Sequence, residues 1–186
     1  MLPRKAPGMR LSLIAIAVVC AATPALAQHG SHRPPSPSGS YAGFVAREIK
    51  ALSAQEVADL RAGRGMGLAL AAELNSHPGP MHALEHADAL RLTPAQRHGL
   101  EILIANMRRD AVAAGERLIE AERALDRLFA ERRATPEAVT EATARVGTEA
   151  ASVRAIHLVT HIATRALLTE EQVTRYDQLR GYRRAG

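Results

Sequence analysis

Four of the eight histidines in this 186-residue chain form two pairs at i, i+4 spacing, His82 with His86 and His157 with His161. Residues four apart share one face of a helix, so each pair aims two imidazoles in the same direction. The neutral imidazole nitrogen is a borderline donor that suits zinc, nickel, cobalt or copper. Either pair alone also reads as an ordinary solvated helix face. Together they point to a divalent transition-metal site of His82, His86, His157 and His161, with Met107, Glu101, Asp110 or Glu85 as further donors.

Other chemistry finds little footing. Gly63-Arg64-Gly65-Met66-Gly67 lacks the preceding strand and the Lys-Ser/Thr of a phosphate loop, and reads as a flexible joint. His29 and His32, with an amine at Gln28, would hold copper only weakly, and a disordered tail accounts for them more simply. No strand-turn-helix context sets up a Ser-His-acid triad, and the Glu-x-x-His pattern of di-iron bundles does not occur. The expectation is a protein that is not an enzyme and has no catalytic residues.

The histidine pairs need long, well-defined supports, and the sequence supplies them. Thr93 is an N-cap, Pro94 fits the first helical position and Gln96 completes a capping box. Apolar residues follow at Leu100, Leu103, Met107, Ala111, Ala114, Leu118, Ala121, Leu125 and Leu128, a seam with a period of roughly 3.5 residues. This helix should reach Arg132, about 39 residues or roughly 58 Å. Thr135-Pro136 starts a second long helix, with its seam at Val139, Ala142, Val146, Ala150, Val153, Ile156, Thr160, Ala163 and Leu167. So short a link makes the two helices an antiparallel hairpin. A turn centred near Arg133-Ala134 would set His161 level with Met107 and His157 level with Ala111.

Shorter elements flank that hairpin. Ser53 caps a helix to about Ala62, and Leu68–Leu74 forms another. His77-Pro78-Gly79-Pro80 then turns the chain into a third, from Met81 to about Leu90. If this third helix folds back at Leu92, His82 lies level with Ile102 and His86 with His98. Thr169-Glu170-Glu171-Gln172 is a further capping box, opening a last helix with Val173, Tyr176 and Leu179.

Composition agrees with an all-α fold. Ala, Leu, Glu and Arg dominate, Trp is absent and aromatics are 3% of residues, so large side chains are scarce. A thin helical assembly of that kind gains by burying its apolar seam in a homodimer.

The N-terminus carries an address. Arg4, Lys5 and Arg10 precede the apolar run Leu11–Val19, and Ala25-Leu26-Ala27 is a small-x-small cleavage site. Residues 1–27 therefore read as a signal peptide exporting the chain to the periplasm, an uncleaved inner-membrane anchor being the alternative. Cys20, the single cysteine, leaves with it. Losing Arg4, Lys5 and Arg10 also leaves 21 basic residues against 19 acidic, a net +2 that argues for no nucleic-acid partner. Residues 28–51 read as a disordered tether, 52–80 as short helices and Gly/Pro-rich loops, and 81–182 as the hairpin domain.

Two segments share a pattern: Leu92-Thr93-Pro94-Ala95-Gln96 and Leu168-Thr169-Glu170-Glu171-Gln172. Bracketing a matched hairpin, they make the sequence resemble the LTxxQ family, which includes Spy, CpxP, ZraP and CnrX. The resemblance covers about Met81 to Tyr182. It implies a cradle-shaped, intertwined periplasmic dimer with a chaperone or metal-sensing role. Metal-sensing members carry a His-x3-His pair before the first segment, matched by His82 and His86. The pair before the second segment is matched in kind by His157 and His161, about one helical turn further upstream. Ile104 stands about where members carry an acidic ligand. The expectation is thus a metal-responsive protein of heavy-metal sensing or resistance, in contact with a membrane regulatory protein. The alternative is an ATP-independent chaperone, whose mixed apolar and Arg-rich face would take unfolded client proteins.

Overall fold

A computed structural model describes residues 41–183. The expected signal peptide, residues 1–27 with Cys20, and the expected tail bearing His29 and His32 lie outside the described residues. Among these residues the fold is all-helical: α1 (Ala54–Arg61), α2 (Leu70–Glu73), α3 (Pro80–Glu85), α4 (Pro94–Ala130), α5 (Pro136–Leu167) and α6 (Glu170–Leu179), preceded by a 3-10 turn at Ala42–Phe44. No helix of the described residues is long and apolar enough to cross a membrane.

The long helices begin where side chains satisfy their first backbone amides. Thr93 Oγ1 accepts from the Gln96 amide while the Gln96 side chain takes the Thr93 amide, and Thr169 and Gln172 repeat the arrangement at α6. Thr135 caps α5 and Pro136 occupies its first turn. α4 and α5 are 37 and 32 residues long. Arg117 on α4 donates to Glu149 on α5 at 2.8 Å, and a Cβ built at Gly99 would lie 3.0 Å from Leu167. These pairs are equidistant from the 131–135 turn, so α5 returns alongside α4.

The two capping glutamines also hold each other. Gln96 Nε2 donates to Gln172 Oε1 at 2.8 Å and Gln172 Nε2 donates back to Gln96 Oε1 at 3.0 Å. The same amides donate to the carbonyls of Leu167 and Leu90. Beneath this clasp lies one core, in which Ala83, Ala87, Leu90, Leu92 and Leu100 meet Leu168, Val173 and Tyr176. A second core joins Ile49, Leu60, Ala114, Ile119 and Val153 further along the long helices.

Three expectations need correction. The stretch expected to be a tether up to residue 51 is partly docked, since Ile49 is 2% exposed within the second core. The seam on α4 is wider than the heptad reading: Gly115 and Ile119 are buried off it because α1 lies across them. A Cβ at Gly115 would stand 2.6 Å from the Leu60 carbonyl oxygen, so only glycine admits that approach. Finally, α3 stops at Glu85 rather than near Leu90. The Ala87 amide bonds back three residues to Leu84, and Arg91 takes a left-handed conformation that lets the Leu92 amide reach the Ala87 carbonyl.

Candidate metal centre

α2, the loop before it, the start of α3, the first half of α4, the second half of α5 and the chain just after α6 line a partly open cavity of about 310 Å3. Its lining includes His82, Met107, His157 and His161. Three of the four expected histidines thus share one space. His86 is a correction: it is the C-cap of α3, packs edge-on against Tyr176 at 6.5 Å between ring centroids, and is not in the lining. Its amide still bonds the His82 carbonyl at 3.2 Å, but its ring packs on Tyr176 instead of entering the cavity. Glu101, Asp110 and Glu85 are likewise absent from the lining, although Glu85 is bonded to His82. Among the described residues no three His, Cys, Asp or Glu side chains converge as a ligand set.

The imidazoles differ in how they are held. His157 is 3% exposed, and its Nε2 is buried without a hydrogen-bond partner. Burial, and then the neighbouring His161, lower its pKa below the ordinary imidazole value, so it stays neutral near pH 7. His161 Nδ1 lies 2.8 Å from the His77 carbonyl oxygen, which can only accept, so in the neutral ring Nδ1 carries the proton and Nε2 the lone pair. His82 Nδ1 is held the same way by Glu85 Oε2 at 2.8 Å, and that bond is the main cause lowering the Glu85 pKa. A proton fixed on Nδ1 by an oxygen acceptor is the arrangement that orients a histidine as a metal ligand through Nε2.

The wall of the cavity holds a group that the sequence reading missed. Glu73, at the end of α2, is 6% exposed. Its Oε1 accepts from the hydroxyls of Tyr176 at 2.5 Å and Tyr182 at 3.0 Å, and Oε2 accepts from the Gly79 amide at 3.0 Å. Arg180 Nε stands 3.5 Å from Oε1 and His161 Nδ1 3.6 Å from Oε2. The carboxylate is therefore already compensated. Burial, followed by the Glu73 bond, drives the Tyr176 hydroxyl pKa far above its ordinary value. A lone acid within Leu68-Ala69-Leu70-Ala71-Ala72-Glu73-Leu74 was the available signal, since a charge in an apolar run needs partners.

Gly79 and Gly65 let the backbone close over the histidines. Cβ atoms built there would stand 3.1 Å from His161 Cε1 and 3.6 Å from His157 Nδ1. No family model, curated protein or solved structure matches this chain.

Proposed function

We propose that this chain is a periplasmic, non-enzymatic, metal-responsive protein that binds a transition-metal ion in the cavity between α2, α3 and α5, in a heavy-metal sensing or resistance role. The observation that carries the reading is His157: a neutral imidazole, 3% exposed, with a buried and unpartnered Nε2, whose ring lines a space that His161 and His82 also line. An unsatisfied buried polar atom is costly, and a metal ion is a partner that would repay it. In the same proposal α4 and α5 act as an antiparallel hairpin, two copies form an intertwined dimer, and a membrane regulatory protein reads the occupied state.

The test is titration of the full chain with zinc, nickel, cobalt and copper. A double variant, His157→Ala with His161→Ala, should weaken binding by more than about tenfold, while undiminished affinity would refute the site. Binding should also fade as the pH drops below about 6, because protonated imidazole has no lone pair to give.

A chaperone role has one observation of its own. Ile102, Val159 and Ile162 are 47%, 61% and 60% exposed on α4 and α5, among many arginines. Such a surface suits transient contact with unfolded chains. Failure to slow aggregation of a denatured client at several-fold excess would dismiss that role without touching the metal site.

A further inference from the structure

The donors that remain free in the cavity share two properties: they are uncharged, and one of them is a thioether. The only carboxylate in its lining, Glu73, is taken up by two tyrosine hydroxyls, a backbone amide and the Arg180 guanidinium. Recruiting it to an ion would strip buried hydroxyls and a half-buried guanidinium of their acceptor. What is left is the imidazole of His157, Nε2 of His161 and the thioether of Met107, with His82 at the half-exposed rim.

Charge decides between ions here. The Born cost of placing an ion in a low-dielectric site grows with the square of its charge, and no anionic ligand in this cavity is free to offset a second positive charge. Softness argues in the same direction. A thioether is a poor ligand for zinc, nickel or cobalt in their divalent state and a good one for monovalent copper. Two imidazoles with one sulfur suffice for an ion content with two or three ligands.

Resting on the metal-binding reading above, we infer that the resident ion is cuprous copper, bound by the imidazoles of His157 and His161 and by Met107 through its thioether. His161 is pre-aimed by the His77 carbonyl.

The experiment is competition for cuprous ion between the full chain and a chromophoric cuprous chelator without oxygen, alongside zinc, nickel and cobalt titrations. X-ray absorption at the copper edge would be recorded on the loaded protein. One tightly held cuprous ion, with one sulfur and two nitrogens in its first shell, is the expected result. Met107→Leu, which keeps volume, should weaken cuprous binding by about tenfold or more and leave zinc binding unchanged. A first shell without sulfur, or zinc held more tightly than cuprous copper and indifferent to Met107→Leu, would overturn the inference and leave the broader metal reading standing. If none of the four ions bound, the metal reading itself would fall. The absorption spectrum is measured on the unaltered chain, so a poorly folding variant does not spare the inference.

Discussion

Glu73 carries more than a single side chain usually does. It joins α2 to α6 and to Tyr182 beyond it, residues more than a hundred positions apart, through two hydroxyl bonds. Glu73→Ala would leave the buried Tyr176 hydroxyl, the half-buried Tyr182 hydroxyl and the Gly79 amide without their acceptor, and about 2–4 kcal/mol of stability should be lost in denaturant titration. The Tyr176 hydroxyl adds a pH dependence. Its pKa is raised by burial first and by Glu73 second, so folding favours the protonated form. A raised pKa gives stability that is complete below the unfolded value near 10 and is lost as the pH climbs past it. Melting temperature should therefore fall above about pH 10, and fall less steeply in Tyr176→Phe. At this scale the sequence was only half legible. His157 and His161 were placed in one site from their spacing, whereas Glu73 gained its meaning from Tyr176, Arg180 and Tyr182, whose proximity no local pattern announces. His86 misled for the converse reason: spacing places it one turn from His82, but its ring is taken up by Tyr176, a contact from α6 that no local pattern announces.

The elements were read more successfully at their starts than in their middles. Ser53, Thr93, Thr135 and Thr169 all cap helices, because a capping bond is formed within four residues and is written locally. What the spacing could not show is that Gln96 and Gln172 also bond each other across 76 positions. The two repeated segments are thus one clasp. Alanine at either glutamine should cost about 1–2 kcal/mol, and the double variant should cost less than the sum, as a double-mutant cycle would report. Gly115 is another long-range fact under a local disguise. In the middle of a helix it looks like a weakness, yet it is where the Leu60 carbonyl comes closest to α4. Gly115→Ala improves helix propensity by about 1 kcal/mol and should nonetheless destabilise the protein, with faster amide exchange confined at first to α1.

On the scale of the whole molecule, burial is uneven along the paired helices. Leu100, Ala111, Ala114, Ile119, Val153 and Thr164 are covered by the short helices or by one another, whereas Val139, Ala142 and Val146 are only half-buried and Phe129 is 60% exposed. A seam read from periodicity cannot distinguish a covered stretch from a bare one, because both carry the same residues. If two copies pair, the bare stretch and the exposed Ile102, Val159 and Ile162 supply the apolar area. Ile162→Glu should then shift the sedimentation coefficient toward that of a single chain.

The glutamine clasp and the 131–135 turn close the α4–α5 pair at opposite ends, one by four amide bonds and the other by the peptide chain itself. A ladder fastened this way has no free rail from which to peel. It must fray at the rungs with least around them, near the turn. Deuterium should enter α4 beyond Leu125 and α5 before Val146 long before it reaches Leu100 or Thr164, leaving the end that houses the histidines as the last to come apart.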